Sequence, residues 1–272
     1  GIRAEFVTTG AYKTFPELFT RSKPSKAATT VQNKLADTLF ASVVNRISKG
    51  RSKSVTAVKT LIDDGPYTAY RAKKMGLVDH VMHFDEFEAH LRRVHGSRTT
   101  IAPAWDFMTD HRGRWGAPDH IGILYIVGTI TDGPSTEIPF LGMTTTGSDT
   151  IVKAADAFAR NQAIKAVVVR IDSPGGSVTA SDAMWYALTK LAKVKPLYVS
   201  MGDIAASGGY YAAVPGRGIY AMDDTITGSI GVFTGKFDLS GLYKKLGVNM
   251  AQFRRGKHSG ILGQNRPWTD SQ

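Results

Sequence analysis

Apolar positions in the second half of the chain fall into short runs that alternate with longer amphipathic segments. The runs predict strands, and the longer segments predict helices. We assign strands to residues 121–130, 166–171 and 197–201, and helices to residues 150–160 and 180–192. Strands that alternate with helices in this way predict an α/β fold with a mainly parallel sheet and right-handed crossovers.

The first part of the chain has a different pattern. A strand-like run at residues 2–8 is followed by a glycine turn at Gly10. Residues 27–47 carry apolar side chains at every fourth position, which predicts an amphipathic helix. Residues 69–79 predict a further helix that Gly76 ends, with a short strand after it.

Residues 2–13 and 248–259 resemble each other. Each has a strand-like run, then a glycine, one further residue, an aromatic ring and a polar group. If this is a repeat, the chain holds the back part of one copy and the front part of the next. We therefore predict a first unit at residues 1–96, a connector at 97–118 and a second unit at 119–272.

Composition narrows the kind of chemistry. The chain has 34 Lys and Arg against 23 Asp and Glu, a net charge of +11, but the charges are dispersed. Dispersed charge favours a solvated basic surface, and we expect no nucleic-acid partner. Cysteine is absent, which excludes disulfides, thiolate metal sites and a cysteine nucleophile. No run is long and apolar enough for a membrane span, so we expect a soluble chain unless it is a piece of a longer protein.

A serine flanked by small residues is the strongest chemical feature. Ser207 stands between two alanines and two glycines, after the apolar run 196–201 and before a helix start at 210–214. A serine at a strand-to-helix turn exposes its hydroxyl and directs helix-start amides at the group it attacks. Ser207 is therefore a candidate nucleophile.

Two more glycine-rich segments, residues 172–177 and 227–231, also follow predicted strands. A lone glycine pair is usually only a tight turn. Three such segments together favour acyl transfer, because glycine lets backbone amides approach a ligand closely. We predict an oxyanion hole built from the amides of Gly175, Gly176 and Gly208.

A serine nucleophile needs a base. Only His258 among the histidines lies near a glycine segment of the second unit, and no acidic residue is placed to orient it, which disfavours a Ser-His-Asp triad. His80, His83 and His90 lie in a charged helical segment and are interpreted as surface groups, so no metal site is expected. The remaining base is a lysine whose pKa is lowered by burial.

Three motifs now carry a family resemblance: Ser-Pro-Gly-Gly-Ser at 173–177, Ala-Ala-Ser-Gly-Gly-Tyr at 205–210 and Thr-Gly-Ser-Ile-Gly-Val at 227–232. With residues 10–14 and 76–79, they resemble the signal peptide peptidase A (protease IV) family, in its long tandem-repeat form. The resemblance implies a ClpP/crotonase-like α/β fold of repeated ββα units. Two tandem copies would be present, each incomplete in this chain. It also implies a serine endopeptidase with a Ser/Lys dyad and no cofactor.

In the long form, the serine comes from the second repeat and the lysine from the first, and those positions match Ser207 and Lys13. In the short form, each copy has both residues and neighbouring subunits complete the dyad. Aligning Gly10 with Gly256 places Ser259 opposite Lys13, which favours the long form. Lys257 remains the alternative base. By resemblance Ser229 orients the lysine, with a helix N-cap as its alternative role.

The resemblance further implies a homo-oligomer, a tetramer in the long form, that hydrolyses apolar peptides such as cleaved signal peptides. It implies a location at the bacterial inner membrane, anchored by a segment outside this chain, with the catalytic part facing the periplasm. Two other functions stay open: a non-catalytic assembly or binding module of the same fold, and a crotonase-like acyl-CoA enzyme. The second would use the oxyanion hole but not the Ser207/Lys13 pair.

Overall fold

A computed structural model describes residues 1–82, 84–101, 119–138, 142–248 and 261–269. The strands are β1 (Arg3–Thr8), β2 (His120–Thr131), β3 (Thr136–Ile138), β4 (Met143–Gly147), β5 (Ile164–Gly176), β6 (Leu197–Ala206), β7 (Gly218–Tyr220), β8 (Ile226–Gly228) and β9 (Phe233–Asp238). The helices are α1 (Glu17–Thr20), α2 (Lys26–Gly50), α3 (Val55–Asp63), α4 (Ala69–Lys74), α5 (Phe84–His95), α6 (Ser148–Arg160), α7 (Val178–Val194), α8 (Gly208–Ala213) and α9 (Ser240–Lys245). None of these helices combines the length and apolar character needed to span a membrane.

The chain divides into two compact units, one of residues 1–37 and 119–272 and the other of residues 38–118. The larger unit contains a seven-stranded sheet in the order β3-β4-β2-β5-β6-β7, with β8 also paired to β6. All of these pairings are parallel except that of β3 with β4. The predicted α/β class with a mainly parallel sheet is therefore confirmed.

The core of the larger unit lies between one face of this sheet and helices α6, α7 and α8. Alternate residues of β2 and β5 enter the core, since successive strand side chains point to opposite faces. On β2, Ile126 is fully buried whereas Ile123 is 51% exposed. The buried apolar residues that pack together in this core are Leu124, Ile126, Ile130, Ile151, Ala155, Ile164, Val167, Val169, Ile171, Ala180, Met184, Ala187, Leu188, Leu191, Leu197, Val199, Met201, Ala205, Ala212 and Ala213.

A separate two-stranded ribbon lies in the same unit. Strands β1 and β9 pair antiparallel, from Arg3 opposite Asp238 to Thr8 opposite Phe233. The pairing joins the start of the chain to a segment more than two hundred residues later.

Strands β5 and β6 are longer than predicted, because each continues into a glycine-rich segment. Residues 172–177 were expected to form a turn, yet β5 continues through Gly176. In the same way, β6 extends beyond its apolar run to Ala206. Register shifts in the β2–β5 and β5–β6 ladders accompany both extensions. The strands continue because these last residues still pair with neighbouring strands through backbone hydrogen bonds.

The smaller unit is helical, with Val44, Val58 and Leu61 buried. Helix α4 ends as predicted, because Gly76 follows it with a φ of 69°, a conformation that glycine adopts at low cost. The strand predicted after Gly76 is wrong, since residues 77–82 form none. The predicted division of the chain into two repeat copies stays a prediction.

The burial difference along β2 gives a stability test. We expect Ile126→Ala to lower the free energy of unfolding by about 2–5 kcal/mol, because it leaves a cavity in the core. Ile123→Ala, on the open face of the same strand, is the matched control and is expected to cost less than about 1 kcal/mol. Urea unfolding measures both. Equal losses would contradict the one-sided core.

Candidate active site

Ser207 lies between the last residue of β6 and the first residue of α8. Its φ of 52° and ψ of −116° are unusual for a residue with a side chain. Two backbone hydrogen bonds hold it there: its amide donates to Gly228 O at 2.9 Å, and Tyr211 N donates to Ser207 O at 2.9 Å. Such strain is typical of functional sites, where surrounding contacts fix one residue in a rare conformation.

Lys13 reaches this serine from the far end of the chain. It follows β1, and the amide of Thr9 donates to Val232 O at 2.9 Å, which extends the contact between the two ribbon segments. Lys13 Nζ then lies 3.0 Å from Ser207 Oγ, within hydrogen-bond distance. The structure thus brings together the two residues predicted to form the dyad.

Ser229 supplies two more oxygen atoms to the same amine. Lys13 Nζ donates to Ser229 O at 2.9 Å and to Ser229 Oγ at 3.1 Å. Ser229 follows β8, which pairs with β6 and so brings Ser229 close to Ser207. No helix begins after Ser229 in residues 230–239, so the alternative role as a helix N-cap is wrong.

The charge state of Lys13 depends on its surroundings. Partial burial lowers the pKa of its amine below the ordinary value of 10.5, because burial penalises the charged ammonium. Within the described part of the chain, no carboxylate lies at ion-pair distance from Lys13. Burial therefore shifts the amine toward its neutral form, and no counter-charge among the described residues opposes this shift.

The three glycines of the predicted oxyanion hole are not equivalent. The Gly175 amide already donates to Ser173 Oγ at 3.1 Å, so this donor is engaged. Gly176 is the last residue of β5, opposite Ile130. Gly208 is the first residue of α8, and first-turn amides have no acceptor within their helix. The oxyanion hole stays a prediction, with the Gly175 amide engaged by Ser173 Oγ in this structure and the amides of Gly176 and Gly208 as the donors that we carry forward.

Gly175 nevertheless has a clear structural role beside Ser207. It has a φ of 96°, and a Cβ atom on it would lie 2.6 Å from Gly208 N and 2.9 Å from Ser207 Cβ. The approach of β5 to the Ser207 turn is thus closer than any side chain at this position allows. Sequence reasoning did not single out Ser173, although it lies inside the quoted motif.

The remaining predicted groups lie elsewhere. Lys257, the alternative base, lies outside the described residues, as do His83 and His258. The rings of His80 and His90 lie 4.4 Å apart in the smaller unit. Across the ranges that the structure describes, no group of three or more His, Asp or Glu side chains is arranged to hold a metal ion.

The sequence of the chain is similar to those of known proteins. The family model described as peptidase family S49 matches residues 1–96 and 189–272. The chain is 32% identical over 282 residues to "Serine protease SPPA, chloroplastic" of Arabidopsis thaliana, covering 98% of this chain and 40% of that protein. It is 31% identical to "Protease 4" of Haemophilus influenzae, covering 88% of this chain and 41% of that protein. The chain therefore spans about two fifths of the length of these relatives.

Solved structures show weaker similarity. A mutant of the "1510-N membrane-bound stomatin-specific protease", in complex with a substrate peptide, is 19% identical with a TM-score of 0.29, over 39% of this chain and 42% of that chain. "ClpP1 from Listeria monocytogenes" is 16% identical with a TM-score of 0.25, over 37% of this chain and 55% of that chain.

The close approach at Gly175 leads to a matched-pair prediction. Gly175→Ala is expected to lower the free energy of unfolding by about 3 kcal/mol, from strain at positive φ and a clash with the Ser207 turn. Gly133 has a similar φ of 85° but nothing within 4 Å of an added Cβ, so Gly133→Ala carries the strain alone. We expect it to cost about 1 kcal/mol in urea unfolding. Equal costs would mean that β5 does not press against Ser207.

Proposed function

Because the chain belongs to peptidase family S49, we propose that it carries the catalytic dyad of a serine peptidase, with Ser207 as nucleophile and Lys13 as general base. The observation that carries this proposal is the 3.0 Å contact between Lys13 Nζ and Ser207 Oγ. A second observation supports it: the pKa of Lys13 is lowered by burial. A nucleophile paired with a nearby base of lowered pKa is the arrangement that covalent catalysis requires.

The first half of the proposed reaction forms an acyl-enzyme. With Lys13 neutral, the Ser207 hydroxyl donates to Nζ, and its proton moves to the amine as Oγ attacks the peptide carbonyl carbon. The new C–O bond places negative charge on the carbonyl oxygen, which accepts hydrogen bonds from the Gly176 and Gly208 amides. The Lys13 ammonium then gives its proton to the leaving nitrogen as the C–N bond breaks.

The second half restores the enzyme. Neutral Lys13 takes a proton from water, and the resulting hydroxide attacks the ester carbon. The ester C–O bond breaks, and Ser207 Oγ recovers a proton from Lys13. Each half therefore uses the lysine once as a base and once as an acid.

Ser229 is a positioning residue in this scheme. When Lys13 is protonated, its three N–H groups match three acceptors: Ser207 Oγ, Ser229 O and Ser229 Oγ. These bonds stabilise the ammonium that forms during the reaction and direct it toward the nucleophile. Ser229 thus does for the lysine what an acidic residue does for the histidine of a triad.

For the substrate, we propose apolar peptides such as cleaved signal peptides. An aromatic cluster on and beside the β1–β9 ribbon supports this choice. Phe15, two residues after Lys13, packs against Phe233 with ring centroids 5.5 Å apart. Both rings are partly open, with 54% of Phe15 and 37% of Phe233 exposed. An exposed aromatic surface near a dyad is suited to apolar side chains.

We extend the proposal to the setting of the whole protein on the basis of family membership. The full-length protein acts as a homo-oligomer, a tetramer, attached to the bacterial inner membrane through a segment outside this chain, with its catalytic part in the periplasm. Cross-linking of the full-length protein and fractionation of cells test these two points.

The dyad is tested by substitution in the full-length protein. Ser207→Ala and Lys13→Ala are each expected to lower peptide hydrolysis and fluorophosphonate labelling by at least about 1000-fold, because nucleophile and base act as a unit. Lys23→Ala removes an exposed lysine that lies ten positions after Lys13 in the sequence, and it is expected to leave both rates unchanged. Lys257→Ala is also expected to leave them unchanged. Labelling that survives Lys13→Ala but not Lys257→Ala would assign the base to Lys257.

A different result would support an alternative function. Thioester turnover that survives Ser207→Ala would favour the crotonase-like acyl-CoA enzyme. Folded, oligomeric protein without any hydrolysis or labelling would favour the non-catalytic module.

The pH dependence tests the charge state of the base. Labelling requires neutral Lys13, so its rate is expected to rise with pH and level off below 10.5, because burial lowers the pKa of Lys13. Ser229→Ala removes an acceptor that stabilises the ammonium, so it is expected to lower the pKa of Lys13 further. The rising limb of the pH–rate profile then moves to lower pH, and labelling slows about 10- to 100-fold. A limb centred at or above 10.5, or one that Ser229→Ala moves upward, would contradict the assignment.

A further inference from the structure

The ladder between β2 and β5 is interrupted beside the nucleophile. Val127 pairs with Asp172 and Thr129 pairs with Gly175, which leaves Gly128 on one strand opposite Ser173 and Pro174 on the other. Such a bulge removes backbone groups from the regular ladder, and Pro174 has no N–H to contribute. The backbone groups displaced here need other partners, because buried polar groups without hydrogen bonds are costly.

The Ser173 side chain provides those partners. Its residue is fully buried, its hydroxyl donates to Gly128 O at 2.6 Å, and its Oγ accepts from Gly175 N at 3.1 Å. One oxygen atom thus closes both sides of the bulge. Gly175, whose amide this oxygen engages, has a φ of 96° and leads directly into Gly176, the last residue of β5.

The same segment is in contact with the nucleophile. A Cβ on Gly175 would lie 2.9 Å from Ser207 Cβ, and a Cβ on Gly209 would lie 2.8 Å from Ser173 O. The start of α8 therefore packs closely against both Ser173 and Gly175. A shift of residues 173–175 would therefore displace the Ser207 turn, because the two backbone segments are packed too closely to move independently.

We propose that Ser173 is a positioning residue of the reaction: by closing the bulge, its hydroxyl holds the Gly176 amide at the distance from Ser207 that an oxyanion requires. This inference rests on the proposed peptidase function. It assigns a role to a residue that touches neither the dyad nor the substrate. The hydroxyl withdraws the Gly175 amide from the site and leaves the next amide as the donor.

The kinetic consequence falls on the transition state. The oxyanion exists only after attack, so a displaced donor lowers kcat without weakening substrate binding. Lys13 makes its contacts with Ser207 and Ser229 and none of these involves Ser173, so the pH profile is expected to stay unchanged. A loss of kcat with constant KM and a constant pH profile therefore distinguishes this role from a change at the base.

The experiment uses the full-length protein with Ser173→Ala. We expect kcat for peptide hydrolysis to fall about 10- to 100-fold, with KM within about twofold of the original, since misplacement of a donor costs rate steeply. Active sites are counted by the end-point of fluorophosphonate labelling, so that unfolded protein does not count as lost kcat. Ser173→Cys, which keeps a weak donor and acceptor, is expected to fall in between and serves if the alanine variant does not fold.

Thr146 offers a matched control. Its hydroxyl accepts from Val127 N at 2.8 Å and donates to Val127 O at 2.8 Å, and the residue is only 5% exposed. It therefore joins a backbone donor to a backbone acceptor, as Ser173 does, but both of its partners belong to Val127 of β2, whereas Ser173 joins Gly128 of β2 to Gly175 of β5. Thr146→Val is expected to lower stability comparably and to leave kcat per active site within about twofold.

The outcomes separate this inference from the proposed function. If Ser173→Ala keeps its kcat, or loses no more than Thr146→Val, the positioning role is overturned while the dyad stands. A rise in KM alone, or a moved pH profile, overturns it as well. If Ser207→Ala retains hydrolysis, the proposed function itself fails.

Discussion

The candidate site depends on the antiparallel pairing of β1 with β9. Without this ribbon, Lys13 and Ser207, which are 194 positions apart, have no reason to meet. The ribbon is held by more than its backbone bonds. Phe6 on β1 packs edge-on against Phe237 on β9, with ring centroids 5.8 Å apart. Gly235 faces Phe6, and a Cβ there would lie 2.1 Å from the ring. A glycine on one strand thus makes room for the aromatic ring of the other.

The parallel sheet imposes a second constraint. Strands β5, β6 and β8 run in the same direction, so their carboxyl ends meet at one edge. Each of these ends carries one of the glycine-rich segments, and between them they provide the Gly176 amide, Ser207 and Ser229. The hydrogen bond from Ser207 N to Gly228 O links two of the segments directly. Parallel topology therefore gathers three short segments that lie far apart along the chain.

Much of this architecture can be predicted from the sequence. The features that could not be predicted share one cause. The period of apolar residues predicts the helices and central strands because it reflects which side chains enter the core, as at Ile126 and Leu188. It carries no information on backbone pairing. The strand extensions through Gly176 and Ala206 were therefore missed, and so was the bulge at Gly128. The bond from the Gly175 amide to Ser173 Oγ was missed for the same reason, because it forms within the bulge.

The site residues also differ in whether the sequence alone could identify them. Ser207 could be identified from its small neighbours, and Lys13 from a motif and a repeat, because both rest on residue types at fixed spacings. Ser173 could not, since its importance lies in which two backbone groups its hydroxyl joins. Three features belong to one arrangement: the strained backbone of Ser207, the missing side chain at Gly175 and the Ser173 hydroxyl that bonds across the bulge. Ser207 is held in a rare conformation by backbone bonds, and the neighbouring strand reaches it only because glycine and a buried serine let the chain approach so closely.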